Sequence, residues 1–185
     1  MIHSAERKRH RAASSPLDLI EESVGLLRQT PFAAHLAYYV GAVPFWLGLL
    51  YFVSDMSLDA FAVHRLADGS LGIALLYIWS KCWQTVHASH LRATLTGRRD
   101  EPWNRERILR MVVVQASLQP WGLVARGTAL LIAVPFVWVS NFFQNITIIG
   151  DGTDHRESLA NRAWTLAKLW PWQAHKAVTT IYLFT

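Results

Sequence analysis

The sequence predicts an all-α fold, an integral membrane helical bundle in which interfacial amphipathic helices precede proline–aromatic breaks. Three observations predict it. The chain is 52% hydrophobic and only 17% charged, with a mean hydropathy of +0.18, where a soluble domain carries about 25% charged residues. Nine Trp occur in 185 residues, and Trp concentrates where membrane meets water. The net charge of +5 comes from basic residues that flank apolar runs, an arrangement that reads as membrane anchoring rather than nucleic-acid binding.

Residues 1–15, MIHSAERKRHRAASS, read as a disordered basic cytoplasmic tail. No apolar core follows the basic stretch, so it is not a secretory signal peptide. Ser15 and Pro16 supply a capping hydroxyl and a first-turn proline, a good helix start. Leu17, Ile20, Val24 and Leu27 then share one face, with Asp18, Glu21 and Glu22 among the polar positions. That spacing marks an amphipathic helix lying on a surface.

Residues 16–185 read as a single helical membrane domain. Its first span is 32–53, long enough for a hydrocarbon core about 30 Å thick, with Pro44 expected to kink it. A short connector over 55–69 carries Asp55, Asp59, His64, Arg65 and Asp68. The second span is placed at about 70–92, and a densely basic loop over 92–110 follows. Ile108–Leu118 is apolar but shorter than a span, with Pro120 ending it. A third span is placed at 127–149, with Pro135 inside it. A GDGTDH turn leads to an amphipathic helix over 157–170 with Leu159, Ala163, Leu166 and Leu169 on one face. An apolar helix opens at about Ala177 and reaches only half of a crossing by Thr185, so the domain is expected to be truncated at its C-terminus.

The same event occurs three times: a proline followed by an aromatic at Pro31-Phe32, Pro120-Trp121 and Pro171-Trp172, then a basic or titratable residue (His35, Arg126, or His175 with Lys176), then an apolar helix. The physics is that of a surface helix broken by proline, anchored by an aromatic, and turned into the bilayer.

Trp164-Thr165-Leu166-Ala167-Lys168 with Trp170-Pro171-Trp172, and Glu22-Ser23 through Leu26-Leu27-Arg28 with Pro31, resemble a recurring element of a bacterial membrane-protein superfamily. That superfamily includes the membrane domain attached to some glycerophosphodiester phosphodiesterases, together with free-standing relatives of unknown role. The resemblance covers about twenty specific positions and implies an architecture. It implies no catalytic residue, because nothing in this chain is similar to the phosphodiesterase domain itself.

Charge sets the expected orientation. Basic residues precede the first span, the 55–69 connector is acidic on balance, and the next loop carries six arginines. By the positive-inside rule the N-terminus and the 92–110 loop are cytoplasmic, and the resemblance implies a bacterial cytoplasmic (inner) membrane. The direction of 127–149 stays open, because an outward crossing would leave Arg156, Arg162 and Lys168 outside.

Lys81 stands near the middle of the second span, where a charge costs about 2.5–3.5 kcal/mol on insertion scales. Lys81, Gln84, Thr85, Ala88 and Arg92 share one helical face, with Ser89 at its border. With Arg126, the residues Lys81, Gln84, Thr85 and Arg92 form the candidate intramembrane polar site. The alternatives are a lysine that snorkels to the interface or a structural hydrogen bond. His87 and His90 form an H-x-x-H pair that lacks a third ligand for zinc, and Asp55 with Asp59 reads as a solvated connector. No phosphate-binding loop, dinucleotide fingerprint, nucleophile elbow or zinc-protease motif is present, so no catalytic residue, cofactor or metal is assigned.

The leading function is a non-enzymatic subunit, scaffold or assembly factor whose partners are the lipid bilayer and other membrane subunits, without nucleic acid. The first alternative is a transporter or channel component for an anionic solute or lipid headgroup using Lys81 and Arg126. The second is a membrane-embedded lipid-modifying enzyme.

Overall fold

Proline governs the first helix boundary, as its chemistry requires. In the computed structural model, which describes residues 16–59, 61–97, 102–132, 136–151, 156–169 and 176, α1 (Pro16–Gln29) stops just before Pro31. Thr30 Oγ1 donates back to Leu26 O at 2.7 Å. Pro31, extended at φ −64° and ψ 150°, precedes α2 (Phe32–Leu58). The first of the three expected breaks therefore stands.

Beyond α2 run α3 (Ala62–Thr96), α4 (Arg105–Ile132), α5 (Phe136–Ile149) and α6 (Arg156–Leu169). No strand occurs among the described residues. The longest element, α3, is the axis of the assembly: α1, α2, α4 and α5 all pack against it, while α6 lies on α5. α2 meets α3 through small side chains, with Ala34, Ala37, Gly41 and Ala42 buried. A Cβ built on Gly41 would lie 2.5 Å from Trp83 Cβ, so the two backbones approach as closely as glycine allows. Phe143, Ile146 and Ile149 of α5 with Leu159 and Ala163 of α6 form the core of the other half, joined by Val114 of α4.

Several expected boundaries move. The 55–69 connector contracts to 59–61: Asp55 lies in the last turn of α2, and His64, Arg65 and Asp68 lie in the first turns of α3. Arg65 explains this, pairing with Asp55 at 3.1 Å and with Asp59 across the corner. The 92–110 loop contracts likewise, since Arg92 is still on α3 and Arg105, Arg107 and Arg110 are on α4. Gly97 closes α3 at φ 63°, the left-handed conformation that glycine adopts without a Cβ clash.

Pro120 does not end its helix: α4 runs through it to Ile132. A proline deletes only one ladder bond, and contacts to a neighbouring helix hold the chain on either side: Gln119 and Gly122 pack on α5 around Pro120, and Trp79 of α3 bonds Val40 O one turn before Pro44. The second expected break is therefore absent. The apolar run 127–149 is not one helix but is divided between the end of α4 and α5. Gln119 meets Thr147 and Gly122 meets Phe143, so α5 runs antiparallel to α4 and the chain reverses between them. The buried face of α6 is Leu159, Ala163 and Ala167, whereas Leu166 and Leu169 are exposed. The third break at Pro171-Trp172, the partial span 177–185 and the 1–15 tail lie outside the described residues.

Among the described residues two helices are long and apolar enough, by length and composition, to cross a membrane: α2 over Phe32–Leu58 and α4 over Arg105–Ala129. The second expected span, 70–92, lies within α3 but is not one of them. Its length suffices at 35 residues. Lys81, Gln84, Thr85, His87, Ser89, His90 and Arg92 lower its hydropathy.

Candidate functional site

The polar side chains of α3 and α4 point at each other. Lys81 is 5% exposed and Thr85 is 0% exposed on α3, and Gln115 and Gln119 are 0% exposed on α4. Gln115 Nε2 donates to Thr85 Oγ1 at 3.0 Å, and Thr85 Oγ1 in turn donates to Lys81 O at 3.0 Å. Gln119 Nε2 donates to Thr147 Oγ1 at 2.9 Å and to Phe143 O at 3.2 Å, while its Oε1 accepts from Tyr77 OH at 3.4 Å. Three helices are thereby joined by a seam of amides and hydroxyls. Buried groups of this kind are retained when they are paired, and this seam is mostly paired.

The expected face of α3 is the inner one. Lys81, Thr85, Ala88 and Ser89 are all buried, and Gln84 accepts from Lys81 Nζ at 2.9 Å. Arg126 joins them from α4. Side chains on a helix lean toward its own N-terminus, and α3 and α4 are antiparallel, so Lys81 and Arg126 lean toward a common level. Lys81 Nζ lies 5.6 Å from the centroid of the Tyr77 ring, and the Arg126 guanidinium lies 5.7 Å from that of Phe143. Arg126 is within electrostatic range of both the Tyr77 hydroxyl and the Lys81 ammonium.

Among the described residues no carboxylate pairs with either cation. Residues 69–99, 107–150 and 158–185 contain neither Asp nor Glu. Arg126 Nε and Nη2 are buried and have no hydrogen-bond partner among the described residues, and the same holds for Gln115 Oε1. A buried ion without a counter-charge costs several kcal/mol. The gap in the seam is therefore one of negative charge.

Arg92 belongs elsewhere, which corrects its place in the candidate set. It lies eleven residues beyond Lys81, about 16 Å along the helix, and pairs with Asp151 after α5. Asp151 is buried and also binds Arg107, Nη2 to Oδ2 at 3.4 Å. The Arg107 guanidinium in turn stacks 3.9 Å from the centroid of Trp103. Asp151, Gln115 and Gln119 were not picked out from sequence. Gln115 and Gln119 are spaced i, i+4 within an otherwise apolar run, and Asp151 is the first acid after Glu106; both signals were available.

His87 and His90 do not form a shared site. His87 Nδ1 lies 2.9 Å from Ala34 O, so the proton sits on that nitrogen and is donated to α2. No group of three or more His, Cys, Asp or Glu that could hold a metal occurs among the described residues. On the flank of α3 a cavity of about 520 Å³ lies against Trp79, Cys82, Trp83, Trp103 and Met111. Its walls are almost wholly apolar, and it has the size of a small-ligand pocket.

No family model, no curated protein and no solved structure matches the chain.

Proposed function

We propose that this chain is a multi-pass helical protein of a bacterial cytoplasmic membrane, acting as a non-enzymatic subunit, scaffold or assembly factor. The observation that carries this reading is the inverted placement of its side chains. Gln115, Gln119, Thr85 and Lys81 are inside, whereas Leu47, Leu50, Tyr51 and Leu71 are more than 60% exposed. A water-soluble domain buries leucine and exposes lysine; a bundle surrounded by hydrocarbon does the reverse with its polar groups. Hydroxyls on exposed helix faces follow suit, as Ser57, Ser117 and Thr128 donate to the carbonyl four residues back. The uncovered Leu17, Val24 and Leu27 on α1 suit a helix resting in the headgroup layer.

The arrangement also favours a direction for each crossing. Asp151 pairs with Arg92 and Arg107, so the chain leaves α5 on the side of the basic α3–α4 connection. α6 then runs back along α5, with Asn145 donating to Ala163 O and Phe142 against Trp164, and the arginines gathered at the α3–α4 connection suit a cytoplasmic N-terminus under the positive-inside rule. The resemblance to the phosphodiesterase-linked membrane domain is in keeping with this architecture. A second reading, a carrier or channel component for an anionic solute or lipid headgroup, is favoured by one observation: Lys81 and Arg126 lie within electrostatic range of each other inside the bundle, and no acid pairs with them among the described residues.

The test is extraction and labelling. The protein should stay in the membrane pellet through alkaline carbonate and require detergent for release. Cysteines introduced at Gly97 and Ser57, on a Cys82→Ser background, should label from opposite sides. Release by carbonate, or labelling of both from one side, overturns the proposal.

A further inference from the structure

We infer that Lys81 of α3 and Arg126 of α4, with the Tyr77 hydroxyl beside them, form an interior site for an oxoanion, either a free phosphate-type anion or the phosphate of a lipid headgroup. The inference rests on the membrane reading, since it is the exclusion of water that makes the missing counter-charge expensive.

Four observations converge. Lys81 is buried, and the acceptor of its ammonium is a neutral amide oxygen, Gln84 Oε1 at 2.9 Å. Arg126 presents two buried nitrogens that lack acceptors among the described residues. The two cations lie within electrostatic range of each other, and helix geometry explains why, since their stems lean inward from antiparallel helices. No Asp or Glu stands in 69–99, 107–150 or 158–185 to neutralise them. Arg with Lys is the donor set that suits an oxoanion: a guanidinium offers two parallel N–H groups and an ammonium adds a point charge. A carboxylate of the chain could have filled this role, as Asp151 does for Arg92 and Arg107. At Lys81 and Arg126 that role is left to a ligand.

The experiment uses the full chain in nanodiscs. In phosphatidylcholine nanodiscs, inorganic phosphate is titrated at constant ionic strength and binding is read by calorimetry. In phosphatidylglycerol nanodiscs without phosphate, co-purified lipid is read by native mass spectrometry after detergent release. Lys81→Met and Arg126→Gln should each weaken phosphate binding, or lipid retention, by at least about tenfold. Lys81→Arg should keep it within about threefold, because the charge is retained. Saturable phosphate binding lost in the variants identifies a free oxoanion; selective phosphatidylglycerol retention lost in them identifies a headgroup. A wild-type protein that takes neither, or variants that bind as wild type does, overturns the inference. Thermal melts add a readout that a purely structural lysine would not give: bound anion should raise the wild-type melting temperature and leave that of Lys81→Met unmoved. If Lys81→Met does not fold, Arg126→Gln on the other helix carries the same comparison. Failure of the membrane reading shows separately, as release by carbonate and solubility without detergent, and phosphate titration then proceeds in plain buffer.

Discussion

Trp79 Nε1 of α3 donates to Val40 O of α2 at 3.1 Å, the carbonyl that Pro44 deprives of its helical donor. Residue 44 has no N–H to give to residue 40, and α2 nevertheless continues past it. The indole supplies the missing donor from a neighbouring helix. Trp79→Phe should therefore destabilise the protein by about 1–3 kcal/mol, the effect of leaving a carbonyl unmatched. In a Pro44→Ala background the backbone donor returns, and the same substitution should cost only its lost packing. A double-mutant cycle on thermal or denaturant stability measures the coupling; additive effects would show that the carbonyl is satisfied otherwise.

Two glutamines one turn apart should respond differently. Gln119 spends both ends of its amide, on Thr147, Phe143 and Tyr77, and Gln119→Met strands several partners at once. A loss of about 2–3 kcal/mol is expected. Gln115 donates to Thr85 but leaves its own oxygen buried and unmatched. Gln115→Met removes one good bond together with one unfavourable one, and a change of less than about 1 kcal/mol is expected. Equal losses at the two positions would show that Gln115 Oε1 has an acceptor role.

The elements that could be read from sequence are those governed by local chemistry. The Pro16 start, the Pro31 break, the inner face of Lys81 and Thr85 and the α-helical class all follow from proline geometry and from 3.6-residue spacing. What could not be read depended on partners distant in the chain. Pro120 looks like Pro31 in sequence but lies inside a helix, because flanking tertiary contacts decide whether a proline breaks or merely interrupts the ladder. Arg92 shares a helical wheel with Lys81, yet its partner, Asp151, is 59 residues away. Arg126 was legible as a basic residue following a break, and only the antiparallel pairing of α3 and α4 shows that it approaches Lys81.

Three glycines rank by what surrounds them. At Gly41 an added Cβ would meet Trp83 Cβ at 2.5 Å and Ser80 O at 3.2 Å. Neither can move without moving α3, so Gly41→Ala should cost about 1–3 kcal/mol through overpacking. At Gly48 the obstacle is Leu76 Cδ1 at 2.5 Å, the end of a flexible side chain, and the cost should be smaller. At Gly25 nothing lies within 4 Å. There alanine should stabilise α1 by about 0.5–1 kcal/mol through lower backbone entropy in the unfolded chain. Melting temperatures of the three variants test the order, and a Gly41→Ala protein as stable as the wild type would mean that α2 and α3 are not in close backbone contact.

A strong single dependence is expected at Asp151. Its carboxylate is buried and serves two guanidiniums, Arg92 from α3 and Arg107 from α4, and it lies directly after Gly150, where a Cβ would meet Ile146 O at 2.4 Å. The turn therefore has no slack in which to reposition an acid. Asp151→Asn preserves shape but removes the buried carboxylate charge shared by Arg92 and Arg107, and a loss of about 1.5–3 kcal/mol, the range for hydrogen bonds to a charged group, is expected. Removing the more exposed partner with Arg92→Met should cost less, because Arg107 still neutralises the acid. Comparing unfolding midpoints in detergent for these two variants tests whether Asp151 is the clasp between the ends of α3, α4 and α5. If Asp151→Asn melts with the wild type while Arg92→Met does not, the arginine acts through another group and the clasp is wrong.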